Sequence, residues 1–379
     1  MTRRPWLIAL SVVLAIAVIV SLWPRPAGVR PLMASPEYGM QVFLWWTADN
    51  KTGDNDIRLV REAGFGWIKQ RIAWSDVEGS ARGAWDWARA DTVVALAERY
   101  QMKMLVRLDS TPFWAKADPT SLATDAPPAN FADYANYCGA LASRYTGRIA
   151  AYEVWNEPNL AREWGNAPPD PKGYVELLKV CAQAIKAADP QAIVISAGMA
   201  PTDEADPAIA MPDREFYAQM YAAGAARHFD MLGVHAPGFG NPPERSPEEV
   251  EADPVWASSV WTFRHVERVR AIMERNGDGH KQIAITEMGY TSDARPAEQS
   301  AYSWYAISEE LRADYLPRMY AYAKGNWSPW IGLMVTIFIA DPAWTEDNEQ
   351  YWWSLTRPVF PGDPPVTLPV YEALRRMEK

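Results

Sequence analysis

The chain has 379 residues, with 37 Lys and Arg against 47 Asp and Glu, 4 His, 2 Cys, 19 Trp and a formal charge of −10. Hydrophobic residues make up 49 % and charged residues 22 %, the balance of a globular protein, and the body holds no basic cluster for nucleic-acid phosphates. Two cysteines cannot build a disulfide framework, and four scattered histidines (His228, His235, His265, His280) with no HExxH or HxH argue against a catalytic metal or other cofactor.

Arg3 and Arg4 precede an uncharged run from Trp6 to Trp23. At 1.5 Å per residue a helix of this run is about 27 Å long, close to a bilayer core. The basic residues in front place the N-terminus in the cytoplasm. No small-x-small cleavage site follows, so residues 1–30 are expected to be an uncleaved signal-anchor and stalk; a cleaved signal peptide is the alternative. These residues hold four arginines and no acid, so the body from 31 to 379 carries −14. It is expected outside the membrane, on a single-pass anchor or secreted if the segment is cleaved.

In the body, apolar runs alternate with helical patterns. Strands are expected at Tyr38–Trp45, Trp67–Ala73, Met102–Asp109, Ala150–Asn156, Ile193–Gly198, Met231–His235, Ile283–Glu287 and Leu333–Ile339. Helices are expected at Asp91–Tyr100, Phe131–Tyr145, Val175–Ala188, Glu215–Ala225, Trp256–Asn276, Ala297–Gly325 and Val370–Met377. Eight strand–helix units predict an α/β fold, a (β/α)8 TIM barrel behind an N-terminal transmembrane helix. A doubly wound sheet would announce itself with a Gly-rich first turn, and Gly64-Phe65-Gly66 lacks the third glycine. The strand-to-helix connections are long and Pro-rich, and the returns are short, so one face is elaborate. Cys138 and Cys181 fall on two helices and are expected as buried free thiols, with a disulfide conceivable if those helices are neighbours.

Alternation groups Leu105, Arg107 and Asp109 on one face, Glu153, Trp155 and Glu157 on another, and Ile283, Ile285 and Glu287 on a third. Each group ends on a carboxylate at the strand's C-terminal end, where barrel enzymes gather catalytic groups. Two such glutamates suit glycosidic cleavage, which needs a proton donor for the leaving oxygen and a carboxylate for the oxocarbenium-like centre. The bland alternative is that each is a salt-bridged strand end.

Trp155-Asn156-Glu157-Pro158 on the fourth strand, followed by Thr286-Glu287 on the seventh, resembles the clan A glycoside hydrolases. The resemblance extends to Trp74-Ser75-Asp76-Val77-Glu78, to Thr111-Pro112-Phe113-Trp114 and to Pro369-Val370-Tyr371-Glu372. Glu153 to Asn159 and Asp230 to His235 are most similar to family 39. The resemblance implies a retaining enzyme with Glu157 as acid/base and Glu287 as nucleophile. It implies that Asn156 bonds the sugar, that Arg71 hydrogen-bonds the nucleophile and that His235 lies near it. Phe338 and Trp344 are the candidates for the clan's aromatic after strand eight. Trp74 and Tyr290 are further substrate-binding candidates. Trp114, Trp352 and Trp353 also follow strands and can line subsites, whereas Trp85, Trp87 and Trp261 lie in or beside helices and read as core.

The expected activity is hydrolysis of β-type bonds in an extracytoplasmic poly- or oligosaccharide, endo-acting, by double displacement. A carbohydrate-binding pseudoenzyme and an exo-acting β-glycosidase or transglycosylase are the alternatives. The expected partners are the carbohydrate and the membrane, with no nucleic acid, and the expected state is a monomer.

Overall fold

A computed structural model describes residues 28–359 and 362–379. Among them no helix is long and apolar enough to cross a membrane; the expected signal-anchor at Trp6–Trp23 lies outside the described residues. Eight strands run parallel: β1 (Glu37–Gln41), β2 (Trp67–Arg71), β3 (Lys103–Leu108), β4 (Ala151–Val154), β5 (Ile193–Ser196), β6 (Leu232–His235), β7 (Ile283–Met288) and β8 (Ile331–Thr336). Their order is 5-4-3-2-1-8-7-6, and a parallel bridge from Ile195 to Met231 joins the two ends. The sheet is therefore a closed barrel, and all eight expected strands are present.

Eight helices follow the strands in turn: α1 (Lys51–Glu62), α2 (Ala88–Arg99), α3 (Phe131–Arg144), α4 (Pro171–Ala188), α5 (Asp213–Ala222), α6 (Val266–Arg275), α7 (Glu309–Asn326) and α8 (Pro369–Arg376). Helix α1 was not expected from the sequence. It opens on Thr-Gly-Asp-Asn, a weak helical run, and Ile57, Leu59 and Val60 are its only large apolar anchors. The Asn50 side chain caps it by accepting from the Thr52 amide. Helices α6 and α7 are shorter than the expected Trp256–Asn276 and Ala297–Gly325. Helix α6 follows directly on a hydroxyl-capped 3-10 turn, and α7 begins at a hydroxyl cap of its own. Thr262 accepts from the Arg264 amide before the 3-10 turn Phe263–His265, and Ser308 accepts from the Leu311 amide. The residues ahead of those caps are loop.

Two apolar layers hold the barrel. A large one lies between strands and helices, with Ile68, Val106, Val154 and Ile285 among its residues. A small one plugs the lower barrel with Trp67, Leu105, Ala151, Ile195, Met231, Ala284 and Leu333. Met33 enters that plug from below. The Leu32 and Met33 amides donate to Gln282 Oε1 at 2.8 and 3.2 Å, and the Arg30 amide donates to His280 O at 2.8 Å. The chain thus joins the barrel at its N-terminal pole. Lys379, at the other end of the chain, packs beside Gly64 and Phe65 at the same pole.

Two expected alternations are corrected. On β7 it is Ala284, not Ile283 or Ile285, that faces the barrel interior; both isoleucines pack outward against helices. Glu287 still reaches the interior because the pairing slips between Val234 and His235 on β6 and again between Ile285 and Met288 on β7. A one-residue slip turns a side chain to the other face. On β4, Trp155 does not share the face of Glu153. It lies beyond the strand with φ +76° and packs outward against Tyr134 and Trp164. The free-thiol expectation is also corrected. Helices α3 and α4 are neighbours, and Cys138 and Cys181 form a disulfide with Cα atoms 5.4 Å apart.

Candidate active site

The upper barrel is lined by charge. Lys69 and Arg71 point inward from β2, Arg107 from β3, Glu153 from β4 and His235 from β6. Glu157 and Glu287 stand at the mouth. The turn after β4 sets the first glutamate. Trp155 (φ +76°) and Glu157 (φ +40°) both adopt the left-handed region, which costs a side-chain-bearing residue on the order of 1 kcal/mol. Burial of the Trp155 ring and its Nε1–H bond to Glu163 O (2.8 Å) offset that cost. The Glu157 amide donates to Gly198 O at 3.2 Å, which ties the turn to β5.

His235 joins the two glutamates. Its Nδ1 lies 2.9 Å from Glu157 Oε1 and 4.0 Å from Glu287 Oε2. The facing carboxylate oxygens are therefore no farther apart than the sum of those distances, about 7 Å, a bound that admits the roughly 5–5.5 Å separation of retaining glycosidases and excludes most of the longer inverting range. His235 Nε2 points toward Glu153 Oε1 at 3.9 Å and makes no hydrogen bond. Gly198 leaves room for the ring, because a Cβ there would collide with His235 Cδ2.

Glu287 is surrounded by cations. Lys69 Nζ donates to it at 3.0 Å and to the Thr286 carbonyl at 3.2 Å, and Arg107 Nη1 lies 3.5 Å away. Burial alone would raise its pKa, but Lys69, His235 and Arg107 outweigh burial and hold the carboxyl at about 2. Lys69 also pairs with the fully buried Glu153 at 2.9 Å. Burial would lower the pKa of His235, yet Glu287 and Glu157 raise it above its ordinary value. Burial and the charge of Glu157 raise the pKa of Glu163 well above the carboxylate range. Burial likewise pushes Glu349 up to about 6.

Glu157, Glu163, His235, Glu287 and Glu349 line a cleft of about 790 Å³. One wall is aromatic, with Phe239, Trp261, Tyr302, Trp304, Tyr305 and Trp353. The other carries Leu160, Pro201 and Ile209. Among the described residues no group of three or more His, Cys, Asp or Glu side chains is arranged to hold a metal ion.

The expected site residues divide. Glu157, Glu287, His235 and Phe338 line the cleft. Asn156 stands beside it, its Oδ1 accepting from Arg107 Nη1 (3.1 Å) and its Nδ2 donating to Glu163 Oε2 (3.3 Å). Arg71 does not meet Glu287. It pairs with Asp109 at 2.5 Å and bonds Ser110, one step too high on β2, and Lys69 and Arg107 hold the place beside the nucleophile candidate. Trp74 is core: it is fully buried, stacks on Tyr137 and donates to Glu78 Oε2 at 2.7 Å. Tyr290 is also buried, its hydroxyl donating to Asn241 O at 2.9 Å. Trp344 packs behind the cleft against Phe43 and Phe338. Trp261, expected as core, lines the cleft instead.

Comparison with known proteins gives the same picture. No curated protein sequence matches the chain. Among solved structures, a family 39 glycoside hydrolase from the gut symbiont Bacteroides cellulosilyticus WH2 superposes with a TM-score of 0.61 at 22 % identity. That similarity covers 90 % of this chain, which spans 63 % of the relative's length. A glucosidase from Croceicoccus marinus gives a TM-score of 0.63 at 13 % identity, over 92 % of this chain and 68 % of the other. An exo-β-1,4-mannosidase from Opitutaceae bacterium strain TAV5 gives 0.57 at 15 % identity, over 92 % and 60 %. These similarities establish the barrel. The family model "Glycosyl hydrolases family 39" matches residues 18–236. That match spans more than half of the sequence and includes Glu157 and His235, so the chain belongs to glycoside hydrolase family 39.

Proposed function

We propose that the enzyme is a retaining, endo-acting glycosidase that cleaves β-linked glycans by double displacement, with Glu287 as nucleophile and Glu157 as acid/base. The observation that carries this reading is the convergence of the two carboxylates on one nitrogen of His235 while Glu287 alone is wrapped by Lys69 and Arg107. A carboxylate held at about 2 stays ionised at every working pH, as a nucleophile must. Glu157 has no such pair of buried cations. Besides His235, which it shares with Glu287, its nearest basic group is Arg162, at 3.7 Å and mostly exposed.

The reaction follows from this asymmetry. Glu287 attacks the anomeric carbon and forms a glycosyl ester, and the glycosidic C–O bond breaks as Glu157 gives its proton to the leaving oxygen. Glu157, now ionised, takes a proton from water; the water oxygen bonds the anomeric carbon and Glu287 leaves as carboxylate. Asn156, held by Arg107 and Glu163, is placed to bond a sugar hydroxyl beside the reacting centre. The β-linkage draws support from the similar solved folds, which include a GH10 endoxylanase and the exo-β-1,4-mannosidase. The Cys138–Cys181 disulfide and the basic residues before an apolar N-terminal run support an extracytoplasmic location for the catalytic domain.

The test uses an aryl β-glycoside on which the native enzyme is active. Product anomers followed by NMR should retain configuration. Glu287→Gln and Glu157→Gln should each lower kcat by at least about a thousandfold with folding intact. Azide added to Glu287→Ala should give a glycosyl azide of inverted configuration. Inverted product from the native enzyme, or near-native turnover by either Gln variant, refutes the assignment.

A further inference from the structure

Trp304 has no role in the chemistry above, yet it stands at the mouth of the same cleft. It sits on the 3-10 turn Ser303–Tyr305 in the loop between β7 and α7. It is 54 % exposed, an expensive state for so large an apolar ring. Its position is nevertheless fixed by other aromatics. Trp261 meets it edge to face at 5.2 Å between ring centres and 88°. Tyr305 does so at 4.8 Å and 81°, and Trp256 packs against it at 5.6 Å. The ladder continues from Trp261 to Phe239 (4.9 Å, 84°) and from Tyr305 to Trp353 (6.2 Å), both of which line the same cleft.

Ile209, in the loop after β5, lines the same cleft and is 56 % exposed. Its carbonyl accepts from the Ala161 amide at 2.9 Å, which holds it in place. Trp304 and Ile209 are the two large exposed hydrophobics, among the described residues, that also line the cleft. Arg162, Asn166 and Gln350 line the same cleft and offer polar groups there. A rigid, half-exposed indole with polar groups nearby suits one face of a pyranose, whose C–H bonds stack on aromatic rings while its hydroxyls point sideways to polar groups.

We propose that Trp304 is the stacking platform of a subsite outside the catalytic centre, which takes a further pyranosyl residue of the glycan chain being cleaved. The proposal rests on the glycosidase reading and deepens it: the substrate is a chain that fills the cleft from Glu287 to its mouth. Ring order supports this. The aromatic contacts run from Trp304 through Tyr305 to Trp353 and through Trp261 to Phe239, and all of these rings line the one cleft that Glu157 and Glu287 also line.

The test compares Trp304→Ala and Trp304→Phe with the native enzyme on 4-nitrophenyl β-glycosides of one to five sugar units, in the sugar series that the native enzyme cleaves fastest. The loss in kcat/KM for Trp304→Ala should grow with chain length, reaching tenfold or more at the longest substrate and exceeding the loss on the monosaccharide by at least fivefold. Trp304→Phe should recover most of it. Equal loss at all lengths, or none, overturns the subsite. Binding of the same oligosaccharides to Glu287→Gln, with and without Trp304→Ala, is measured by calorimetry and should show the same length dependence. If the native enzyme cleaves none of the probes while this binding difference persists, the glycosidase assignment fails and the subsite stands.

Discussion

Replacing Lys69 with Met removes a buried cation without changing the side chain's length much. Its ammonium lies 3.0 Å from Glu287 Oε1 and 2.9 Å from Glu153 Oε2, with no solvent access. At 3.0 Å and an effective dielectric of roughly 20, one such pair is worth about 5 kcal/mol of attraction before desolvation is charged against it. The net effect on Glu287 is smaller. The fall from an ordinary 4.5 to about 2 corresponds to about 3 kcal/mol in favour of the ionised form, shared among Lys69, His235 and Arg107. Without Lys69, burial is opposed by two partners at 3.5 and 4.0 Å, and the Glu287 pKa rises to its ordinary range or above. The nucleophile then titrates within the working range. The acidic limb of kcat/KM should move up by more than about one pH unit, and activity at pH 4 should fall by at least about fourfold. An aryl glycoside with a good leaving group isolates this step, because protonation by Glu157 then matters little. Lys69→Met also strands Glu153, which by itself costs about 3–5 kcal/mol of stability. The double variant Lys69→Met/Glu153→Leu removes that charge. It should recover thermal stability while keeping the displaced acidic limb. A limb that stays in place in both folded variants refutes the account of how Glu287 is held ionised.

His235→Asn tests the other side of the pair. The folded pKa of His235 is raised, so its contribution to stability is fully present below the unfolded value near 6.5 and fades as pH rises through the higher folded value. The Tm difference between native and variant should therefore be larger at pH 5.5 than at pH 9; a constant or reversed difference contradicts a charged His235 between the glutamates. For the disulfide, Cys138→Ser/Cys181→Ser reopens a link across 43 residues. Chain entropy sets the loss at about 4 kcal/mol, and a drop in Tm with unchanged kcat is the expected result.

Much of this architecture is written in alternating apolar patterns, because a buried parallel strand leaves little freedom about what may sit in it. All eight strands are legible that way, and both glutamates by their place at strand ends rather than by their face. What escapes is depth and slippage. Lys69 and Arg71 share a face of β2, and no pattern says which of the two stands level with Glu287. The slip in β7 is equally silent, and Glu287 reaches the interior from what alternation marks as the wrong face. The aromatic wall escapes for another reason. Trp261, Trp304 and Tyr305 fall in segments whose composition suits a helix, where a ring is expected to pack rather than to line a cleft. Only the late caps at Thr262 and Ser308 hand those residues to the cleft. The disulfide depends on which helices become neighbours, a property of the closed barrel rather than of either helix.

Met33 in the barrel plug and Lys379 beside Phe65 mean that both ends of the described chain leave by the pole opposite the cleft. Whatever holds the molecule upstream of Arg30, be it a membrane, a bead or a fused protein, therefore grips it by the base. A long polymer approaching the cleft need not pass that support. The catalytic face can be turned outward like a tool held by its handle, and any module attached at the other end would share the grip rather than shade the working edge.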